Sequence, residues 1–155
     1  VLKAEEVDND FHARFSAKKR CYVYKIINRR SPLTIEANRA WIVHKILDKK
    51  KLKNEAASFI GKHDLNAFRS AHCQSKSSIR TIDDIIIKVK NESIHIEVVA
   101  KSYLHSQVRI MVGTLVDIAK GNLTKSINEI IVGKKREGAG QTAPSSGLYL
   151  KKVEY

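Results

Sequence analysis

Ser106–Lys120 constrains the fold more than any other segment. Val108, Met111, Val112, Leu115, Val116 and Ala119 recur at helical spacing and make one unbroken apolar stripe, and Gly121 stands where such a helix ends. A stripe of this kind has to be buried against another layer. The rest of the chain offers strands. Lys18–Asn28 alternates, with Tyr22, Tyr24 and Ile26 on one face and Cys21, Val23 and Ile27 on the other. Both faces are apolar, which predicts a central strand covered on two sides. Arg29-Arg30-Ser31-Pro32 ends it. Ile79–Lys90 and Ile94–Lys101 alternate in the same way about Asn91-Glu92-Ser93 and predict a β-hairpin. Leu148–Tyr155 is a closing strand, and Val1–Val7 is also strand-like.

Two further helices are expected. Asp48 is placed as the N-cap of a helix over Lys49–Ile60, whose stripe is Leu52, Ala56, Phe59 and Ile60, with Gly61 as its stop. Ser126 and Glu129 have capping-box spacing for a short helix over Ile127–Val132, with Gly133 as the stop. Gly138–Gly147 is a loop rich in Gly, Ser and Pro. The resulting order predicts an α+β domain, an antiparallel sheet with helices packed on one face, in the β-α-β-β-α-β plan of ferredoxin-like folds. RNA-binding RRM sheets share that plan, although no RNP1-type string occurs.

Charge speaks to partners. The 155 residues include 29 Lys+Arg against 16 Asp+Glu, a formal net charge of +13. Length fits one domain. No apolar run approaches the roughly 20 residues that span a bilayer, and residues 1–20 lack a secretory stretch, so the expected location is the cytoplasm. The cations are spread along the chain rather than gathered on one amphipathic helix, which favours nucleic acid over a membrane surface. The plain alternative is a solvated lysine-rich surface, and Lys49, Lys50, Lys51 and Lys53 fit it well. Cys21 and Cys73 form no metal-ligand pattern and are expected to remain thiols. Walker, Gly-x-Ser-x-Gly and His-Glu-x-x-His motifs are absent.

Arg109 is the most informative position. It lies in the first turn of the Ser106–Lys120 helix, where the macrodipole disfavours a cation by a few tenths to about 1 kcal/mol unless an anion compensates. Gly113, one turn on, costs about 1 kcal/mol relative to Ala inside a helix. The pair predicts close approach by a ligand or another chain segment, with Arg109 facing an anion; an exposed Arg beside a packing glycine is the competing reading. Tyr22 and Tyr24 are either core aromatics or a stacking platform. Arg69, Lys76 and Arg80 surround His72-Cys73-Gln74-Ser75, which is either a phosphate-holding cluster or a solvated loop. His12 and Arg14 precede the first strand.

Several strings, in order along nearly the whole chain, carry a resemblance. They are Asp10-Phe11-His12-Ala13-Arg14-Phe15-Ser16-Ala17 with Arg20-Cys21-Tyr22-Val23-Tyr24, His63-Asp64-Leu65-Asn66-Ala67-Phe68-Arg69, Cys73-Gln74-Ser75, Gln107-Val108-Arg109-Ile110-Met111-Val112-Gly113, and Ala139-Gly140-Gln141-Thr142-Ala143-Pro144 with Gly147-Leu148-Tyr149-Leu150. Together they resemble the tRNA pseudouridine synthase A family. The resemblance implies an isomerase that converts uridine to pseudouridine in the tRNA anticodon stem-loop, without cofactor or metal. It implies tRNA as partner, no membrane, and a homodimer of two-domain subunits with a basic cleft between the domains. The target base is flipped out of its helix. By the same resemblance Tyr22 is the active-site tyrosine, packed against the base and a candidate for proton transfer at C5. Arg109 is the arginine that pairs with the catalytic aspartate. Arg14, Lys19, Arg20, Arg69 and Arg80 are RNA-binding positions, and Cys21 stands where the family commonly has Arg.

The family's nucleophile is an aspartate in a Gly-Arg-Thr-Asp motif, and no such string occurs here. Asp8, Asp10, Asp64, Asp83 and Asp84 lack that context. Residues 1–155 are therefore expected to be the C-terminal domain of such an enzyme, cut at Val1 and inactive alone. The alternatives are a standalone basic RNA-binding module and a domain whose main task is dimerisation.

Overall fold

The computed structural model describes residues 4–155. Six strands lie among them: β1 (Lys19–Asn28), β2 (Trp41–Val43), β3 (Gly61–Asp64), β4 (Ile79–Lys90), β5 (Ser93–Ala100) and β6 (Leu148–Glu154). The helices are α1 (Lys49–Ala57), α2 (Gln107–Ala119) and α3 (Ile127–Gly133). In the sheet the strands run β2-β1-β5-β4-β3, and β6 also pairs with β1. One edge of β1 meets β5 along most of its length. Its other edge is shared, by β6 over Lys19–Tyr24 and by β2 over Ile26–Asn28. The four long strands thus follow the expected plan, with the helices on one side of the sheet.

Two short strands were not anticipated. β2 and β3 have three and four residues, too few for alternation to register. β2 runs parallel to β1, so the sheet is mixed rather than antiparallel. The connection over residues 29–40 is about the dozen residues that a parallel return needs. Of the strand-like run Val1–Val7, the first three residues lie outside the described ones, and 4–7 form no strand.

The core lies between sheet and helices. Tyr24 and Ile26 of β1, Ile94, Ile96, Val98 and Ala100 of β5, and Ile82 of β4 are fully buried against Met111, Val112, Leu115 and Val116 of α2. Each large apolar side chain taken out of water contributes about 1.5–3 kcal/mol. α2 is buried nearly all round, including Ile110, Gly113, Thr114 and Ile118 outside the predicted stripe. α1 and the segment around Gln141 and Ala143 pack its other flanks, so the sequence stripe marks only its sheet-facing side. Among the described residues no helix covers the second face of β1. Val23 there is 8% exposed, with Glu97 and Tyr149 as cross-strand neighbours. Lys25 lies 4.5 Å over the Tyr149 ring. Long side chains of the same sheet do what a second layer was expected to do.

Helix ends follow local chemistry. The Asp48 side chain accepts from the Lys51 amide at 2.9 Å, and the Ser126–Glu129 capping box is complete. α1 stops at Ala57, three residues early, because Ser58, Phe59 and Ile60 turn back onto Glu55, Ala56 and Ala57 with tight i→i−3 bonds. α3 runs through Gly133, and Lys134 takes the left-handed terminal position at φ 56°.

Candidate functional site

A cavity of about 910 Å³ opens where the start of β1, the 72–75 loop and the 101–106 connection converge. Arg14, Arg20, Arg80 and Lys101 line it, with His72 and His105, and no Asp or Glu among the described residues does so. Its chemistry is therefore that of an anion site.

Tyr22 stands in the cavity wall, half-buried. The β1–β6 register shifts beside it, between Cys21 and Tyr22, where Lys151 of β6 is the extra residue, while β1 itself stays in continuous register with β5. Its ring meets the Tyr103 ring edge-on, with centroids 5.2 Å apart and planes at 86°. Tyr103 is fixed in turn, because its hydroxyl lies 2.8 Å from the Val98 carbonyl and 3.0 Å from the Arg20 carbonyl. Burial, with like charge on neighbouring groups, pushes the Tyr103 hydroxyl far above its usual pKa, so it stays protonated as a structural donor.

Tyr24 separates from Tyr22. It is fully buried, and its hydroxyl donates to the Pro144 carbonyl at 2.6 Å. Burial raises its pKa strongly, and nearby Arg109 offsets part of the rise. Tyr24 is a core residue that ties β1 to the C-terminal loop.

Arg109 lies one turn beyond Ser106, which lines the cavity. Its Nε donates to the Ala143 carbonyl at 2.7 Å, and the Ala143 amide donates to the Arg109 carbonyl at 3.1 Å. A Cβ placed on Gly113 would fall 1.9 Å from the Gln141 carbonyl oxygen. The close approach expected from Arg109 and Gly113 is therefore made by residues 139–143 of the same chain. Within the described residues the oxygen facing Arg109 is a carbonyl rather than a carboxylate.

The remaining cations are used differently from one another. Arg20 donates through Nη1 to the Lys101 carbonyl and through Nη2 to the Arg14 carbonyl. Arg69 Nη2 donates to the Cys73 carbonyl at 3.0 Å. Arg80 donates to Ser75 Oγ and to the Ser77 and Ile79 carbonyls. Arg14 is exposed, with its guanidinium 5.4 Å over the Phe15 ring. Lys19 is exposed on β1 opposite Glu154, outside the cavity lining. His12 works locally, its Nδ1 accepting from the Arg14 amide at 3.1 Å. The structure thus brings Arg14, Arg20, Tyr22 and Arg80 to one cavity and sets Arg109, Arg69 and Lys19 behind or beside it. Sequence reasoning missed Lys101, Tyr103 and His105. The only signal for them was position, in the short break between β5 and α2.

Cys73 also lines the cavity. Burial would raise its thiol pKa, but the backbone N–H groups of His105 and Ser75, with Arg69 and Arg80, outweigh that and hold it below the usual thiol range. Among the described residues no group of three His, Cys, Asp or Glu side chains is placed to hold a metal ion.

Residues 56–155 match the model of a family described as tRNA pseudouridine synthase. This chain belongs to that family. Relatives of the family include the tRNA pseudouridine synthase A of Ehrlichia chaffeensis, 52% identical over 156 aligned positions that cover all of this chain and 64% of the relative. Those of Anaplasma phagocytophilum and Wolbachia pipientis are each 49% identical, again over the whole chain and over 63% and 64% of their own lengths. The chain therefore spans less than two thirds of the synthases it matches. Among its described residues no helix is long and apolar enough to cross a membrane.

Proposed function

We propose that this chain is the C-terminal domain of a tRNA pseudouridine synthase acting on uridines of the anticodon stem-loop, and that its cavity receives the RNA. The observation that carries the reading is Tyr22 in the wall of a cavity lined by cations and by no described carboxylate. A flipped uridine costs a few kcal/mol of lost stacking and pairing. The Tyr22 ring, braced by Tyr103, offers the base a replacement surface, and its hydroxyl is the proposed group for proton transfer at C5. Arg14, Lys19, Arg20, Arg69 and Arg80 give this face the positive potential that draws RNA to it, the guanidinium groups of Arg20, Arg69 and Arg80 being already bonded to their own chain.

The nucleophile is an aspartate of the family's Gly-Arg-Thr-Asp motif, contributed from outside these 155 residues. Arg109 is built to meet it. Only its Nε is engaged by described residues, which leaves both Nη groups for a two-pronged bond to a carboxylate. The whole enzyme is proposed to be a cytoplasmic homodimer. Carbodiimide treatment followed by primer extension of anticodon stem-loop RNA tests the reading. The longer enzyme is expected to give pseudouridine stops and these 155 residues none. Isomerisation by the 155 residues alone would remove the external aspartate from the mechanism.

A further inference from the structure

We propose that Arg80 is a positioning residue whose task is to hold the Gln74–Ser78 loop, and that the Gln74 amide on this loop contacts the bound RNA. This rests on the RNA-binding reading of the cavity. The Arg80 guanidinium is already committed: Nη1 donates to the Ser77 and Ile79 carbonyls at 3.0 and 2.6 Å, and Nη2 to Ser75 Oγ at 2.7 Å. Ser75 Oγ itself donates to the Ser77 carbonyl at 2.9 Å. Arg80 Nε is buried without a partner among the described residues. Turning this fork outward to a phosphate would break three bonds and undo the loop.

Both ends of the loop are held independently. Upstream, Arg69 Nη2 donates to the Cys73 carbonyl, the Ser70 amide to the His105 carbonyl at 3.2 Å, and the His105 amide to Cys73 Sγ at 3.4 Å. Downstream, Ser78 Oγ donates to Asp64 Oδ1, and the Leu65 amide to the Ser78 carbonyl at 3.0 Å. Between these anchors Gln74 is exposed, lines the cavity and has no side-chain hydrogen bond among the described residues. Its amide carries two donors and an acceptor, the combination that recognises base edges and ribose hydroxyls rather than charge. Phosphate contact falls to Arg14 and Lys101, both exposed on the cavity rim and in no ion pair among the described residues.

The test is the salt dependence of RNA stem-loop binding by the full chain, followed by fluorescence anisotropy. One lost phosphate contact flattens the plot of log affinity against log salt by about 0.7–0.9. Arg14→Ala is expected to flatten it. Arg80→Gln is expected to weaken binding roughly five- to tenfold at every salt, with the wild-type slope. Arg80→Lys should not rescue, since an ammonium cannot span three acceptors. Gln74→Ala should lose the same factor, and adding Arg80→Gln to it should lose nothing more, because both remove one contact. A flatter slope in Arg80→Gln, rescue by Arg80→Lys, or additive losses in the double variant each overturn the proposal. Should Arg80→Gln not fold, Ser75→Ala takes its place: wild-type affinity in both Ser75→Ala and Gln74→Ala rejects it. A wild-type chain that binds no RNA rejects the RNA reading of the cavity itself.

Discussion

Arg109 and Ala143 are joined twice, by the guanidinium Nε on the Ala143 carbonyl at 2.7 Å and by the Ala143 amide on the Arg109 carbonyl at 3.1 Å. The first bond orients the side chain and the second fixes the segment that it meets. Because the second is main chain to main chain, it survives any substitution of the arginine. Arg109→Ala is expected to cost about 1.5–3 kcal/mol in urea denaturation, the usual loss for a hydrogen bond with a charged partner. In the longer enzyme it is expected to lower pseudouridine formation by about a hundredfold or more, as for a lost transition-state contact of about 2.7 kcal/mol. Wild-type turnover in Arg109→Ala would exclude Arg109 from the chemistry.

Gly113 makes the same contact possible. A methyl group there meets backbone, the Gln141 carbonyl, which cannot rotate aside. Gly113→Ala is expected to destabilise the fold by roughly 1–3 kcal/mol despite alanine's better helix propensity. Hydrogen exchange at the Ala143 amide should rise as residues 139–143 are displaced. A more stable variant would show that the segment yields easily.

Tyr22 is braced by one ring, and its two roles are separable. Tyr22→Phe keeps the ring and removes the hydroxyl, whereas Tyr22→Ala removes both. In the longer enzyme Tyr22→Phe is expected to lower turnover with KM for tRNA little changed, and Tyr22→Ala to harm both. Equal full activity in the two variants would leave Tyr22 without a catalytic part.

The thiol pKa values of the two cysteines are displaced in opposite directions. Burial and Glu97 raise the Cys21 thiol, whereas the amides and arginines around Cys73 lower it. Since the thiolate is the reactive form, the alkylation rate of Cys73 should reach its half-maximum below the ordinary thiol range and that of Cys21 above it. Mass spectrometry of iodoacetamide adducts against pH measures both. The reverse order would contradict the surroundings described for each.

Glu97 links stability to pH. It is 8% exposed and accepts from Lys151 at 2.8 Å and Lys88 at 3.0 Å, which lowers its pKa against the cost of burial. A lowered folded-state pKa gives stability that is complete above the unfolded value, about 4.3, and fades as pH falls through the folded one. Melting curves of wild type and Glu97→Gln should therefore differ at neutral pH and converge as pH falls below that range. A gap independent of pH would assign the effect to packing.

Periodicity and caps were enough to place β1, β4, β5, β6, α2 and both capping motifs, because those signals are local. Arg109 with Gly113 was legible as a close approach, since two residues unfavourable to an isolated helix need a partner. The identity of that partner was not, because Ala143 lies 34 positions away in sequence. Nor could sequence distinguish Tyr22 from Tyr24, which share a strand face. The Tyr103 ring braces one in the cavity wall, and the Pro144 carbonyl holds the other in the core. The arginines show the same division. Their number and sign fix the charge of the surface whatever the fold, whereas which nitrogen is already bonded to a carbonyl depends on chain segments that meet only when the sheet and helices close together.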